Sequence, residues 1–591
     1  MIKREAWWPL ARKLDWEFSY VREEDVFPAV VAGRPWLPHA AWDDWDEPYH
    51  TSFRDYVATQ ADKDASVYAV RDAVGRLEDY GRLAAPWVSG LKLHAATLAL
   101  AEFAAVIGNL RAARFGRDGA WRTSATFAAL DEVRHTHIPL LLMHELLPLD
   151  AQFDWTHRFY HSNNWVAIAA RHVADELLLA SDPIEFSVAT HFVFETGFTN
   201  LQFVGLSALA QQAGDALFSQ MTSSIQTDEA RHSQGGHPVL EKLVAHDKPR
   251  AQALLDKWFW RSWKLFSVVT GLAMDYLTPL ASRTTSFKEF TEEWVVDQYL
   301  RMLEEYGLER PWYWDQFLAS LETHHHMIYA AAYTYRSTVW FDFVLPGPEE
   351  RAWLRARYPR SWDAFDAIWE QVTERWRSAD PGNDLAVHGT AIVGFCDLCQ
   401  LVLCGGTPER NTAQTLLHEG RRYIFCSEPC RWIFEREPER YAGHRDVVKR
   451  VLAGEAPANL VAMVQRYFGL SFATWGKDVA GGCYPFIDRT PRRRRTTEPP
   501  RAEGRGDAQG ALMPLYGFLE GDALGLLVLA HEGDHVEDLA ALVARSARVR
   551  VAPSPGRLSV RHEGVVLAPN ATLEGAGLHA LDRVDVVTDG R

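Results

Sequence analysis

Two nearly identical pentapeptides carry the residues of this chain whose types and spacing best suit metal chemistry. They read DEVRH from Asp131 to His135 and DEARH from Asp228 to His232. On a helix, a glutamate and a histidine three residues apart lie on one face, so each copy presents a carboxylate and an imidazole to the same point. A single Glu-x-x-His is more often a solvated surface face, but two matching copies predict a site for two metal ions.

Two further carboxylates complete this pattern. Glu102 in LKLHAATLALAEFAAVIGNL and Glu195 in VATHFVFETGFTNLQFVGLSALA each lie alone in an otherwise apolar helical run, where an ionised carboxylate is costly unless it is paired or binds metal. A four-helix bundle that binds two irons takes one glutamate from each of two helices and Glu-x-x-His from each of the other two. The predicted ligands are Glu102, Glu132, His135, Glu195, Glu229 and His232.

The predicted ligands carry four negative charges, which match two divalent ions. Oxygen-rich ligation with one nitrogen per metal favours iron or manganese over zinc. Glu132 is the first candidate for a bridging carboxylate between metals about 3.5–4 Å apart.

The residues beside the ligands have a predicted role in orienting the histidines. Metal-bound histidines usually donate their second nitrogen to a carboxylate, so each histidine is expected to pair with the aspartate of the other pentapeptide. These crossed pairs are His135 with Asp228 and His232 with Asp131, with Arg134 and Arg231 placed to neutralise the aspartates. Ordinary surface salt bridges are the alternative.

Thr199 follows Glu195 by one helical turn. A hydroxyl four residues after a metal ligand projects towards the same cavity, where it can hydrogen-bond bound oxygen or relay a proton. A threonine in an apolar helix can equally bond its own i−4 carbonyl, and the spacing does not separate the two interpretations.

Composition limits the remaining possibilities. The 591 residues have a formal charge of −16 and are 47% hydrophobic, and basic residues cluster only at Arg492 to Arg495, so nucleic acid is not an expected partner. The start MIKREAWWPL lacks the zones of a signal peptide, and no stretch of about 18 apolar residues is free of charge. We expect a cytoplasmic protein that does not enter the membrane.

The cysteines indicate a second, separate metal site. Five of the six lie between Cys396 and Cys430, and Cys-x-x-Cys followed by Cys-x-x-x-Cys is typical of a closed four-thiolate zinc site, which would be structural. The predicted zinc ligands are Cys396, Cys399, Cys426 and Cys430. Cys404 and Cys483 have no assigned role.

The periodicity predicts a mainly α chain with four segments. Residues 1–385 form a ferritin-like diiron helical bundle with additional helices, and 386–487 a small zinc-binding α+β module with a helical tail. Residues 488–512, rich in Pro, Gly and Arg, form a flexible linker. Residues 513–591 alternate as hairpin, helix, hairpin and strand, which predicts a β-grasp domain.

Several of these motifs resemble a known family. The stretches TSATFAALDEVRHTHIPL, FVFETGFTNLQFVGLSA and SSIQTDEARHSQGG resemble the hydroxylase α-subunits of bacterial multicomponent diiron monooxygenases of the toluene 4-monooxygenase type, over about residues 7 to 470. The cysteine region is closer to the phenol hydroxylase α-subunit, and GRRYIFCSEPCRWIFEREPERY resembles the YHS modules. The segment from Met513 resembles the small ubiquitin-like γ-subunit of toluene monooxygenases, here fused to the α-chain.

The resemblance implies roles for further residues. Thr199 matches the family's active-site threonine, and Asn200 and Gln226 match polar residues near the diiron site and its solvent route. The substrate pocket would be lined by six residues. They are Leu98, Ala101, Ala105, Ala174, Phe194 and Phe203.

The resemblance also implies an activity and partners. The expected reaction is O2-dependent hydroxylation of aromatic hydrocarbons of the benzene, toluene or phenol type with electrons from NADH; epoxidation of alkenes or isoprene is the alternative. Because the chain has no flavin or nicotinamide motif, a separate NADH reductase and a Rieske ferredoxin would supply the electrons. A β-subunit and a small effector protein complete the expected system, as a dimer of heteromers.

Two interpretations from other classes compete with the enzyme. In the first, the chain would be a non-catalytic scaffold that recruits partners through its zinc module and ubiquitin-like domain. In the second, it would be a ferritin-like metal store. The complete ligand set, Thr199 and the apolar lining favour the enzyme.

Overall fold

A computed structural model describes the main helical and C-terminal parts of the chain. The described residues are 3–11, 37, 39–47, 50–77, 79–116, 118–147, 153, 160, 165–178, 180, 182–335, 345–377, 391–403, 406–407, 410–443, 447–455 and 510–589. They fall into two compact units, one of residues 1–161 and 170–314 and the other of residues 162–169 and 315–591. The predicted boundary at 385–386, most of the predicted linker 488–512, Cys404 and Cys483 lie outside the described residues.

The regular elements among the described residues of the first unit are all helices. Its α-helices are α1 Arg4–Ala11, α2 Phe53–Leu77, α3 Ala85–Phe115, α4 Gly119–Leu146, α5 Trp165–Leu178 (from Ala170 onwards), α6 Pro183–Phe186, α7 Asn200–Ala213, α8 Ala216–Leu272, α9 Phe287–Thr291 and α10 Leu300–Glu305. Wider π-helical segments occupy Ser187–Thr199, Ala273–Leu277 and Glu292–Tyr299, and short 3-10 turns occupy His39–Trp42, Asp79–Arg82 and Leu280–Ser282.

Four long helices pack as two pairs and position the predicted ligands. Helix α3 packs along α4. Helix α8 packs along the fourth long helix, which the π-helix Ser187–Thr199 and α7 form together. Asp118 caps the start of α4 by accepting the N–H of Ala120 at 2.7 Å. Between α7 and α8 the chain reverses at Gly214, whose φ of 81° suits glycine, and Asp215 then caps α8 by accepting the N–H of Phe218 at 3.0 Å.

Helix α8 is nearly continuous from Ala216 to Leu272, with one break inside it. The break lies at Asp247, whose φ of −151° and ψ of 69° leave the helical region. Its side chain accepts the N–H of Arg250 at 3.1 Å and so caps the start of the second segment. Pro249, in the first turn of that segment, has no backbone N–H to donate to the preceding turn. The cap at Asp247 and the proline at 249 therefore mark the break, and the helix continues on both sides of it.

By length and composition, α3 would pass as a membrane span. A second candidate arises only if the bent pair Ala216–Leu277 and Leu280–Glu305 counts as one broken span. Core helices of globular proteins meet the same criteria, and α3 packs along α4 and carries buried Glu102. The cytoplasmic location stays a prediction.

A cluster of tryptophans covers the start of α4. The rings of Trp42 and Trp45 stack on Trp121 with centroids 4.9 Å and 5.3 Å away. Glu47 is buried beside them, and its burial raises the pKa of its carboxyl group to about 7, although a hydrogen bond with Ser124 partly offsets the rise.

We expect Glu47→Gln to change stability in a pH-dependent way. Because the folded pKa of Glu47 is raised, its contribution is fully present below the unfolded value of 4.5 and is lost as pH rises through about 7. The shift corresponds to roughly 3 kcal/mol at pH 8. The neutral amide should therefore raise Tm by a few degrees at pH 8 and change it little at pH 5, measured by scanning calorimetry. Equal Tm differences at both pH values would contradict this assignment.

The second unit contains helices, a cysteine-rich segment and a C-terminal sheet. The helices are α11 Trp314–Leu321 (from Asp315 onwards), α12 His324–Tyr335, α13 Pro348–Arg357, α14 Trp362–Arg377, α15 Glu428–Arg436, α16 Pro438–Tyr441, α17 Val447–Leu452 and α18 Val536–Ala547. The strands are β1 Ala391–Val393, β2 Gly406–Thr407, β3 Arg410–Asn411, β4 Gln414–His418, β5 Arg421–Phe425, β6 Leu512–Leu519, β7 Leu526–His531, β8 Leu558–His562, β9 Val565–Val566 and β10 Arg583–Thr588.

The C-terminal strands form the predicted β-grasp arrangement. The sheet order is β1-β7-β6-β10-β8-β9, with β10 parallel to β6 and the other neighbours antiparallel. Helix α18 packs on β6, β7, β8 and β10. The predicted fold class is confirmed: a helical bundle, a small cysteine-rich module and a C-terminal β-grasp sheet, to which β1 adds a strand that the sequence did not reveal.

Candidate metal centre

The six predicted ligands meet inside the helical unit. Helices α3 and α4 and the π-helix supply Glu102, Glu132 with His135, and Glu195, and α8 supplies the last two ligands, Glu229 and His232. All six side chains are buried. The two pentapeptides therefore face each other across the bundle.

The ligand atoms form two overlapping groups. Within each group, the members offer one ligand atom apiece, and these atoms lie within 4.8 Å of one another. The first group is Glu102, Glu132, His135 and Glu229, and the second is Glu132, Glu195 and His232. Because Glu132 belongs to both, its carboxylate can join two neighbouring metal sites.

The two histidines are oriented by the expected crossed pairs. His135 Nε2 lies 3.3 Å from Asp228 Oδ2, and His232 Nε2 lies 2.9 Å from Asp131 Oδ2. The Nδ1 atoms point the other way, each 3.3 Å from an oxygen of Glu132. With Nε2–H donating to an aspartate, each Nδ1 keeps its lone pair for a metal.

Cationic side chains pair with both aspartates. Asp228 lies 2.5 Å from Lys63 Nζ and 2.9 Å from Arg134 Nη1, and Asp131 pairs with Arg231. Burial alone would raise the pKa of Asp228, but the hydrogen bond from His135 and the charges of Lys63 and Arg231 hold that pKa well below its usual range. Each arginine of the two pentapeptides therefore pairs with the aspartate of the other pentapeptide.

Helix α2 supplies three further partners that the sequence did not reveal. Gln60 Nε2 donates to Asp131 Oδ1 and Asp228 Oδ1, both at 2.7 Å, and the hydroxyl of Tyr56 donates to Asp131 at 3.0 Å. Lys63 is the third. The i, i+4, i+7 spacing of these polar residues on one face was the available signal, but it is common on solvated helices.

The ligand carboxylates repel one another without cations. Burial and the neighbouring charges of Glu132 and Glu229 raise the pKa of Glu102 well above its ordinary value, and burial raises that of Glu195 similarly. Burial would also raise the pKa of Glu132, but the neighbouring imidazoles of His135 and His232 lower it. One cation per group would remove this repulsion.

Unsatisfied polar atoms around the ligands also fit bound metal. Glu195 Oε2, His232 Nδ1 and Thr199 Oγ1 are buried and have no hydrogen-bond partner among the described residues. Native proteins rarely leave such atoms unpaired. The donor set is rich in oxygen, has one imidazole per group and suits two divalent irons.

A cavity of about 80 Å³ adjoins the ligands. Its lining is mainly apolar and comes from α3, α4, α5, the π-helix, α7 and α8 together with Tyr160. The lining residues are His94, Thr97, Leu98, Ala101, Glu102, Ala105, Glu132, Tyr160, Ala170, Ala174, Leu178, Thr190, Phe194, Glu195, Thr199, Gln202, Glu229, Leu265 and Val269.

Five of the six predicted pocket residues line this cavity, and Phe203 does not. Its ring is fully buried and packs edge-to-face on His94, a residue of the cavity lining, with centroids 6.3 Å apart. Asn200 and Gln226 are half-buried and do not line the cavity either. Their predicted roles near the site remain predictions.

Thr199 lines the cavity, and the two interpretations of its hydroxyl can now be separated. Its Oγ1 makes no hydrogen bond to a described residue, whereas Thr196 on the same π-helix donates to the carbonyl of His191 at 2.9 Å. The hydroxyl of Thr199 is therefore available to a molecule in the cavity. The π-helix itself was not predicted. Such segments are rare in proteins, and those that occur often lie at functional sites.

The four predicted zinc ligands converge in the second unit. All four cysteines are buried, and their sulfur atoms lie within 4.8 Å of one another, with Cys399 and Cys426 3.9 Å apart and Cys426 and Cys430 3.6 Å apart. A tetrahedral site with Zn–S bonds of about 2.3 Å has sulfur–sulfur separations of about 3.8 Å. Burial raises the pKa of the Cys396 and Cys399 thiols, so a cation would be needed to hold them as thiolates.

Comparisons with known proteins agree across the chain. Residues 16–247 match the methane/phenol/alkene hydroxylase family, residues 410–445 a YHS domain, and residues 512–587 the toluene-4-monooxygenase system protein B. The oxygenase component α-subunit of an alkene monooxygenase system from Xanthobacter autotrophicus is 40% identical over 485 residues, covering 81% of this chain and 96% of that protein.

Two phenol-oxidising enzymes are also similar. The oxygenase component of phenol 2-monooxygenase from Pseudomonas sp. strain CF600 is 30% identical, covering 78% of this chain and 89% of that protein. The structure of phenol hydroxylase from Pseudomonas sp. OX1 superposes on this chain with a TM-score of 0.70 and 26% sequence identity. The superposition covers 79% of this chain and 95% of the phenol hydroxylase chain. This chain therefore belongs to the methane, phenol and alkene hydroxylase family and is the α-subunit of the hydroxylase component of a multicomponent diiron monooxygenase, with a YHS module and a protein B-like domain fused to it.

Proposed function

We propose that this α-subunit inserts one atom of O2 into small apolar hydrocarbons, with epoxidation of short alkenes first and hydroxylation of arenes second. The other oxygen atom leaves as water, which takes two electrons and two protons. The size of the cavity at the ligand groups carries this proposal, and the alkene monooxygenase relative, 40% identical over 81% of the chain, supports it.

The six buried ligands would hold two irons, with Glu132 shared between them. When bound, the irons supply the activation of O2 that monooxygenation needs. Asp131 and Asp228 fix the histidine rings, so that the Nδ1 of each ring points to the ligand group to which that histidine belongs. The hydroxyl of Thr199, which has no hydrogen-bond partner among the described residues, would carry a proton in the cavity beside Glu195.

The apolar wall restricts what reaches these ligands. Leu98, Ala101, Ala105 and Ala174 hold no polar group for water, so the substrate is oriented by shape and not by hydrogen bonds. A cavity of about 150 Å³ in another protein holds a benzene molecule. The cavity here is about half that size, which favours a short alkene.

Two observations keep arene hydroxylation as the second candidate. They are the similarity to two phenol-oxidising enzymes and the polar side chains in the cavity lining. The phenol 2-monooxygenase relative covers 78% of the chain, and the phenol hydroxylase structure shares its fold. The lining also offers polar side chains away from the metal ligands, including His94, whose Nε2 has no hydrogen-bond partner among the described residues. A phenolic substrate would find a polar group there.

The chain acts with other components, as members of its family do with further subunits and effector or reductase proteins. In finer detail we propose a β-subunit, a small effector protein, a Rieske ferredoxin and an NADH reductase, assembled around a dimer of heteromers. One structural zinc at the four cysteines completes the proposed cofactors.

Reconstitution with these components tests the proposal. The iron-loaded hydroxylase is supplied with propene, isoprene, benzene, toluene and phenol side by side, and products are quantified against NADH consumed. We expect propene and isoprene to give epoxides with higher kcat/KM than any arene. Faster oxidation of benzene or toluene would reverse the proposed order. Failure to oxidise all five, with two irons bound per chain, would refute the proposed substrate class.

A further inference from the structure

The sheet of the C-terminal domain, residues 510–589, receives a strand from a distant part of the chain. Strand β1, which immediately precedes the first zinc-ligand pair, pairs antiparallel with β7, matching Ala391 to Val528 and Val393 to Leu526. The β1 residues and the three paired β7 residues are all buried. The domain is therefore completed by a strand from outside its own sequence.

Without β1, strand β7 would be an open edge. It reads LLVLAH, and a long apolar edge with free backbone groups invites pairing with other chains. Strand addition of this kind binds through main-chain hydrogen bonds and alternate side chains. Covering by β1 makes this edge unavailable to a strand from any other protein.

The loop that carries Cys396 and Cys399 continues this pairing. We call residues 394–403 the cysteine loop. Gly394 N–H donates to the carbonyl of Gly525 at 2.8 Å, and the N–H of Gly525 donates to the carbonyl of Leu403 at 3.0 Å. Both ends of the cysteine loop therefore bond the same residue of the C-terminal domain.

The two glycines allow this close approach. A Cβ atom on Gly394 would lie 2.7 Å from Leu403 and 3.2 Å from Tyr516, and one on Gly525 would lie 2.5 Å from Phe518. Such distances require the neighbouring side chains to shift. The backbones of the cysteine loop and the C-terminal domain meet where no side chain fits.

The second pair of cysteines is linked to the same domain. Strand β5 leads directly into Cys426, and its Arg422 Nε lies 2.6 Å from Asp582, whose carboxylate is fully buried. In return, Arg583 of the C-terminal domain donates to the carbonyl of Ala413 at the start of the β4–β5 hairpin. Segments from both halves of the four-cysteine site thus bind one domain.

We propose that metal bound by the four cysteines holds the C-terminal domain in place. The thiolates would fix the cysteine loop against β5, and this fixed arrangement presents β1, Gly394 and Arg422 together to the domain. The partner of this surface is the chain's own protein B-like domain, docked in cis. The proposal rests on zinc occupying the four cysteines, but it is independent of the oxygenase substrate.

Hydrogen exchange on the full hydroxylase tests this coupling. Zinc content is measured first, and backbone amide exchange is then compared between the zinc-loaded chain, the chain stripped of zinc by a chelator, and Cys399→Ser. We expect zinc loss to speed exchange of the β1 and β7 amides by about tenfold or more, while the β6–β10 ladder keeps its protection.

Three results would overturn the proposal. A chain purified without stoichiometric zinc overturns both the zinc assignment and the coupling. A zinc-containing chain whose β7 exchange is unchanged by zinc loss overturns the coupling alone and leaves the proposed zinc and oxygenase activity standing. Faster exchange in β10 as well would also overturn the proposal, because the domain would then unfold on zinc loss and not detach as a folded unit.

A matched pair of arginines keeps the test independent of the thiols. Arg422 and Arg421 are neighbours on β5 whose side chains leave opposite faces of the strand, and Arg421 is exposed. We expect Arg422→Ala to speed β7 exchange by about threefold with zinc retained, and Arg421→Ala to have no effect. Equal exchange in both variants would contradict the role of the Arg422–Asp582 pair.

Discussion

Glu132→Ala is expected to leave the hydroxylase without stoichiometric iron and to lower turnover more than about a thousandfold. Glu132 is the only residue common to both ligand groups, so its loss weakens both metal sites at once. Even changes to groups that merely orient metal ligands cost about 10–100-fold in affinity, and a shared ligand should cost more. Iron is measured by elemental analysis and turnover by NADH-coupled product formation.

A second glutamate on α4 provides the control. Glu145 is partly exposed and pairs with Arg71 at 3.1 Å, away from the ligands. We expect Glu145→Ala to keep two irons and normal turnover. Retention of both irons by Glu132→Ala would show that the six side chains do not form the metal site.

Ala174→Phe is expected to lower kcat/KM for every substrate by about a hundredfold while leaving iron content unchanged. Ala174 lines the cavity but belongs to neither ligand group, so a phenyl ring there takes up substrate space in a volume of about 80 Å³. Overpacking of a buried site typically costs 1–3 kcal/mol in stability, which a folded helical protein of this size tolerates. The loss should be larger for benzene than for propene.

The conservative variant Ala174→Ser separates blockage from disturbance of the helix. Serine is close to alanine in size, so the variant should keep most of the activity, with Tm recorded for both proteins. If Ala174→Phe oxidises benzene as well as the unchanged enzyme does, the cavity is not the substrate site.

Local spacing explains why so much of the metal centre could be predicted. In DEVRH and DEARH the helix alone brings Glu132 and His135 to one face, so no knowledge of the tertiary structure was needed. The crossed aspartate pairs followed from the chemistry of metal-bound histidines. Likewise, Glu102 and Glu195 are conspicuous because a lone carboxylate in an apolar helix needs a partner.

The residues that were missed depend on long-range packing. Tyr56, Gln60 and Lys63 reach the aspartates only because α2 lies against α4 and α8. Their spacing does not distinguish them from a solvated face. Phe203 shows a related limit, since a resemblance can suggest a pocket residue, but the direction of its ring depends on packing.

The sequence by itself determined the ligand types, their helical faces, the four thiols and the order of helical and β-grasp segments, because each depends on spacing along a few turns or strands. Only the tertiary structure decided the π-helix that carries Glu195 and Thr199, the size of the cavity, and the pairing of β1 with β7. The pairing joins residues more than a hundred positions apart. Contacts of that kind depend on which surfaces meet after folding, and local propensity contains no information about them.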